Sequence, residues 1–147
     1  MNLPKYDVVS NTSHTYEFIS EGKNGKIYKS VSFQETNIEG VYNLGLVDKN
    51  PITGQVDDKV VSNNGDRDKV LSTVVEIIYL FTDQFPDVWI YAEGSTPART
   101  RLYQISIVKF FHIVKRDFEL QALLENKWEE FRPNVNYQAF VIKRKKY

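Results

Sequence analysis

The chain has 147 residues, of which 41% are hydrophobic, enough for one domain with a core of its own. Nineteen basic and nineteen acidic residues balance, so no overall field attracts nucleic acid or an anionic membrane. The absence of cysteine excludes disulfides, thiolate metal ligands and a cysteine nucleophile. The first residues lack the apolar core of a signal peptide, and no apolar run is long enough to span a bilayer. We therefore expect a single soluble, cytoplasmic domain over residues 1–147.

The first half of the chain shows the alternation of apolar and polar residues that is typical of strands. Strands are predicted at Thr15–Ser20 and Lys26–Phe33, on either side of a Gly22–Gly25 turn. A third strand is predicted at Val41–Val47 and, after a loop, a short one at Val56–Val61. This half therefore predicts an antiparallel part of a sheet.

The second half combines helices with strands. After a predicted turn at Asn64–Asp66, apolar residues form a wide stripe up to about Asp83, which predicts a helix packed on a sheet. The remaining predicted elements are a strand at Val88–Ala92, a helix from Thr96 to about Ser106, and strands at Lys109–Val114 and Tyr137–Lys143, with Phe118–Leu124 ambiguous. The order βββ(β)-α-β-α-ββ indicates an α/β fold of the α+β type, with a single mixed, largely antiparallel sheet and two main helices.

The run Gly94–Tyr103 is the most informative stretch of the sequence. Thr96 is a good N-cap and Pro97 suits the first helical position, while Gly94 lets the backbone turn sharply before the helix. Arg99 and Arg101 then place cations where the helix dipole is already positive, so a negative ligand would relieve the conflict.

Three details of this predicted site follow from helix geometry. Positions 99 and 101 point about 200° apart, so both arginines cannot easily grip one anion, and Arg99 in the first turn is preferred. Backbone N–H groups together with the hydroxyls of Ser95 and Thr96 complete the predicted anion site. The alternative is an ordinary capped helix that rests on an apolar stripe of Ala98, Leu102 and Ile105, with arginines paired to carboxylates.

Four segments of the sequence together carry a resemblance to known sequences: Tyr16–Phe18, Tyr42–Leu44, Asn63–Asp66 and the whole of Gly94–Tyr103. On these residues, the chain resembles a family of small bacterial proteins of unknown function. Ten residues in order make a specific signal. The resemblance extends almost from end to end and implies a shared fold, with no known activity.

The order of elements also resembles that of the GNAT superfamily of CoA-dependent N-acetyltransferases. Residues 15–147 can be matched, element by element, to that order. Arg101–Gln104 resembles the helix whose tyrosine often acts as general acid, which would give this role to Tyr103. That family's pyrophosphate loop is rich in glycine, whereas Asn63–Asp68 has one glycine and two aspartates, which repel phosphate. We therefore expect the protein to bind no cofactor.

Other candidate residues each have an ordinary structural role open to them. Asn64 and Gly65 could hold a ligand through their amides, or form a tight turn in which Asp66 caps the next helix. Loop aspartates match no defined metal template, so no metal is expected. His112 sits in an apolar run and is predicted to be a strand residue, and the basic end Lys143–Lys146 is predicted to be a solubilising tail.

The sequence therefore predicts a binding domain in which a small anionic ligand or a partner carboxylate is held at the start of the second helix. Its predicted ligand-binding residues are Gly94, Ser95, Thr96, Arg99, Arg101, Asn64 and Gly65. One alternative is an acyl-CoA-dependent N-acyltransferase with an atypical phosphate loop, in which Tyr103 is the acid. The other is a protein-interaction module that uses exposed aromatics such as Trp128 and Phe131. We expect no nucleic acid and no membrane partner.

Overall fold

A computed structural model describes residues 3–57 and 64–146. Within these ranges the chain forms nine strands and three helices. The elements are β1 Val9–Thr12, β2 Thr15–Gly22, β3 Gly25–Glu35, β4 Val41–Lys49, β5 Val56–Asp57, α1 Arg67–Gln84, β6 Trp89–Ala92, α2 Pro97–Lys109, α3 Phe111–Asp117, β7 Phe118–Leu124, β8 Lys127–Glu130 and β9 Ala139–Arg144.

The strands form one open, mixed sheet in the order β1-β2-β3-β4-β6-β9-β7-β8, with β5 paired to β4. Most neighbours are antiparallel, and β4 and β6 run parallel. The predicted fold class, α+β with a mixed and largely antiparallel sheet, is confirmed. The chain divides into two compact units, Met1–Phe33 with Gly45–Gln84 and Gln34–Leu44 with Phe85–Tyr147. That they make a single domain remains a prediction.

The core of the first unit follows from the strand alternation and the stripe of α1. Tyr16 lies opposite Val31 in the β2–β3 register, and both side chains are nearly inaccessible to solvent. From α1, Ile77 and Phe81 are fully buried, and the ring of Phe81 stacks on that of Phe33 with centroids 3.9 Å apart. The helix predicted to end near Asp83 ends at Gln84, because Pro86 disfavours a helical conformation of the residue before it.

In the second unit, β6 lies between strands β4 and β9. It pairs with β4 over Val41–Asn43 and with β9 over Phe140–Lys143. Ile90, Phe140 and Ala122 share one face of this part of the sheet and are almost completely buried. Helix α3 packs against β7, so this face forms the core of the unit.

The predicted strand at Lys109–Val114 is wrong. Helix α2 continues to Lys109, Phe110 ends it with φ −105° and ψ 23°, and α3 begins at once. The burial explains the error, because Phe110 and Val114 are buried four residues apart whereas His112 between them is exposed. A strand would have placed all three on one face. His112 is thus a helical residue, and the described part of the chain has a third helix.

Several boundaries also differ from the prediction. The ambiguous segment became strand β7, and β1 and β8 were not predicted. Of the strand expected at Val56–Val61, β5 accounts for two residues, and the rest lies outside the described residues, as does Asn63. None of the described helices combines the length and the apolar character that crossing a membrane requires.

Candidate binding site

The start of α2 has the cap that its sequence predicts. Thr96 is extended, with φ −136° and ψ 161°, and its Oγ1 accepts a hydrogen bond of 3.2 Å from the N–H of Arg99. Pro97 occupies the first turn, where its missing N–H leaves nothing unsatisfied. The first turn contains no acidic residue, so no carboxylate of that turn offsets the positive end of the helix dipole.

Gly94 is required because α2 approaches the backbone just after β6. A Cβ at this position would overlap the backbone N of Thr100 and the Cβ of Arg99. The same contact is fixed by a hydrogen bond of 3.0 Å from the N–H of Gly94 to Oγ1 of Thr100. This short stretch therefore closes into a compact, pre-formed junction between strand and helix.

The two arginines lie on different sides of α2, as their spacing predicts. Arg99 is only 4% exposed, whereas Arg101 is exposed and makes no ion pair with any residue of the described ranges. Every buried side-chain nitrogen or oxygen in those ranges has a hydrogen-bond partner. Arg99 therefore contributes a buried positive charge to the first turn, and Arg101 contributes a cation that is open to solvent.

Tyr103 lies one turn after Arg99 and is 9% exposed. Burial raises the pKa of its hydroxyl, and the charge of Arg99 partly opposes that rise. The buried positions of α2 are Arg99, Thr100 and Tyr103, so the predicted apolar stripe is displaced: Ala98 is exposed. The physical reason is the junction with Gly94, which turns Thr100 inward.

Asn64 and Gly65 belong to the first compact unit, whereas residues 94–103 belong to the second. Asn64 is 3% exposed and its amide is used within that unit. Its Nδ2 donates to Oγ of Ser20 at 3.1 Å and to the carbonyl of Gly25 at 2.9 Å, and its Oδ1 accepts from the N–H of Asn24 at 2.6 Å. Asn64 thus holds the β2–β3 turn, and Gly65, with φ +78°, provides the turn before α1.

Asp66 also has a role that the sequence did not reveal. Its Oδ2 accepts hydrogen bonds from the hydroxyls of Tyr6 and Ser20. The ring of Tyr6 stacks on Phe18, with centroids 5.9 Å apart, and the ammonium of Lys69 lies 4.2 Å above the Tyr6 ring. No local pattern could have predicted this cluster, because its members extend along the chain from Tyr6 to Lys69.

A second candidate surface is the sheet face of the second unit that lies opposite the buried one. Its residues alternate with the core residues along each strand. They are Trp89, Tyr91, Leu123, Trp128 and Val141, and we call this set the aromatic face. Trp128 is 42% exposed and the other four are half-buried. The prediction that Phe131 is exposed is wrong: its side chain is buried among aromatic rings and is not part of this surface.

Two grooves lie away from the start of α2. One, of about 550 Å³ in the first unit, is lined by side chains that include Tyr6, Tyr28 and Lys69. The other, of about 360 Å³ in the second unit, is lined by Phe111, Phe131 and residues of β7. Neither is lined by a predicted ligand-binding residue, so the predicted anion site is not part of either groove.

These features define a small α+β protein built on one mixed sheet, with a capped helix that begins just after its parallel strand pair. The chain belongs to a family of unknown function, DUF6934, whose model matches residues 2–145. The predicted membership of a family of unknown function is therefore confirmed. No curated protein and no solved structure matches the chain, so the resemblance to acetyltransferases stays a prediction.

Proposed function

We propose that this protein is a binding domain that holds a small anion, or a carboxylate of a partner, at the start of α2. The observation that supports the proposal is the buried Arg99 in a first turn without an acidic residue. A guanidinium charge screened from water and the positive end of a helix act in the same place, and an anion at that terminus is attracted by both.

The surrounding residues suit this role. Ser95 is exposed beside the cap, and the junction between Gly94 and Thr100 holds the backbone of the turn in place before a ligand arrives. A pre-formed site loses little conformational entropy on binding. Arg99 acts through its charge, because the buried donors of the described residues already have partners.

The start of α1 provides a matched control within the same chain. Arg67 is also a cation at a helix start, but it is followed by Asp68 in the first turn. A carboxylate in the turn cancels much of the local positive potential. The proposal therefore predicts anion binding at α2 and none at α1.

The test is anion binding to the wild type, to Arg99→Met and to Arg67→Gln, measured as thermal unfolding with inorganic phosphate, sulfate, nucleotides and acetyl-CoA. Phosphate at about a hundred times its dissociation constant stabilises a single-site protein by about 2.7 kcal/mol. We expect this stabilisation in the wild type and in Arg67→Gln and its loss in Arg99→Met. Equal stabilisation of all three would refute the proposal, and a response to acetyl-CoA alone would favour the acyltransferase.

A further inference from the structure

The aromatic face contains a corner that is formed by two rings. The planes of Tyr91 and Trp128 meet at 78°, and their centroids are 6.2 Å apart. The strand register explains how they meet, since Trp128 pairs with Leu123, Leu123 pairs with Ala139, and Ala139 is two residues from the partner of Tyr91. Ala139 is fully buried and small, so the two larger side chains lean toward each other above it.

Two acidic residues lie near this corner along the strands. Glu93 follows β6, and its Oε1 accepts a hydrogen bond of 2.5 Å from the hydroxyl of Tyr91. Glu130 lies two residues after Trp128, on the same side of β8, because alternate residues of a strand share a face. Both carboxylates are exposed, and neither makes an ion pair with a residue in ranges 3–57 and 64–146.

The same face already binds one cation of the chain itself. The ammonium of Lys143 lies 5.7 Å from the ring centroid of Trp89. A positive group is attracted to the negative face of an aromatic ring, most strongly to tryptophan. At the Tyr91–Trp128 corner the two rings stand beside two carboxylates, and no cation from the described part of the chain lies over either ring.

We propose that the corner of Tyr91, Trp128 and Glu93 docks an arginine side chain from a basic segment of a protein partner. A guanidinium stacks on an aromatic plane while its N–H groups donate to a carboxylate, so both parts of the corner are used at once. The carboxylates make the surface repel phosphate, which disfavours a nucleic acid even though its bases could stack. This surface uses residues other than those of the anion site and does not depend on it.

The test uses the peptide acetyl-Gly-Arg-Gly-Arg-Gly-amide and its counterpart with citrulline, a neutral isostere, in place of arginine. Binding is followed by NMR through the indole N–H signal of Trp128 and through backbone amides. We expect saturable binding of the arginine peptide and at least about tenfold weaker binding of the citrulline peptide. Addition of salt should weaken the binding of the arginine peptide and leave that of the citrulline peptide unchanged.

Variants assign the interaction to the corner. Because Trp128 and Glu93 are exposed, Trp128→Ala and Glu93→Gln should fold, and each should weaken arginine-peptide binding by about fivefold or more. Glu39→Gln removes another exposed carboxylate, from the β3–β4 connection, and should leave binding unchanged.

Four results would overturn the proposal. The first is equal binding of the arginine and citrulline peptides, and the second is unchanged binding by Trp128→Ala. Tetramethylammonium that binds as tightly as the peptide would assign the corner to a small cation instead. A dimer that the peptide dissociates, detected by sedimentation, would assign it to a second copy of this chain.

Discussion

Replacing Gly94 by alanine tests whether the junction between β6 and α2 is as tightly packed as the structure indicates. The added Cβ would overlap the backbone N of Thr100 and atoms of Arg99. Because the N of Thr100 and the carbonyl C of Arg99 are backbone atoms, a change of side-chain rotamer cannot relieve the overlap. The start of α2 has to move away from the strand, and the hydrogen bond from Gly94 to Thr100 has to lengthen.

The magnitude follows from two opposing effects. Overpacking at a buried site costs about 1–3 kcal/mol, and the backbone neighbours place this site at the upper end of that range. Loss of glycine's freedom in the unfolded chain offsets about 0.4–1 kcal/mol. We therefore expect Gly94→Ala to lower the free energy of unfolding by about 2 kcal/mol, and the melting temperature by roughly 4–8 °C.

The assay is urea unfolding of the wild type, Gly94→Ala, Thr100→Val and the double variant. Thr100→Val removes the hydroxyl that receives the Gly94 hydrogen bond, and by itself should cost about 1 kcal/mol. The double variant should lose less than the sum of the single losses, because the displaced helix has already given up that bond. A loss below about 0.5 kcal/mol for Gly94→Ala, or strict additivity, would refute the reasoning.

Three further predictions concern the rest of the chain. Asn64→Ala should lower the free energy of unfolding by about 3 kcal/mol in urea unfolding, since it removes three hydrogen bonds worth about 1 kcal/mol each, one of which joins Asn64 to the buried Ser20. Asp48→Asn should lower the free energy of unfolding by about 3 kcal/mol, because the Lys29 ammonium, which is 6% exposed, loses the carboxylate that lies 2.6 Å away. Replacing both partners, by Lys29→Met with Asp48→Leu, should recover most of that loss. Burial first, and then the Glu93 carboxylate, raise the pKa of Tyr91 to about 12, above its unfolded value near 10. The stability due to Tyr91 is therefore intact below pH of about 10 and lost as pH rises through about 12, and Glu93→Gln should move the tyrosinate absorbance change of Tyr91 to lower pH.

Local patterns predicted the parts of the fold that depend on neighbouring residues. The β2–β3 hairpin, the helix α1 and the cap of α2 each follow from alternation, an apolar stripe or capping chemistry within a few residues. The cap at Thr96 was predicted to the residue, because a threonine followed directly by proline suits the N-cap and first positions of a helix and little else in this region.

The prediction failed where an apolar run fits two periodicities. Phe110, Ile113 and Val114 are aromatic or β-branched, which favours a strand, but Ile113 and Val114 lie in α3, which packs against β7. Intrinsic preference of this kind is weak compared with burial, so tertiary packing decided the outcome.

The candidate site was only partly accessible to sequence reasoning. The spacing of Arg99 and Arg101 predicted opposite sides of the helix, and their burial agrees. That Asn64 holds a distant hairpin, and that Tyr91 meets Trp128, depend on contacts across 40 and 37 positions of the chain, respectively. Alternation along β6 and β8 could place Tyr91 and Trp128 on the same face of the sheet, but this inference requires the strand order, which the sequence does not give.

The central claim, that the start of α2 holds an anion, is tested most directly by an NMR titration of the labelled protein with inorganic phosphate. We expect saturable shifts of the backbone amides of Ser95, Thr96, Ala98 and Arg99, with the amides of Arg67–Lys69 at the start of α1 unmoved. Shifts of the same size at both helix starts, or none at Ser95–Arg99 at saturating phosphate, would contradict it.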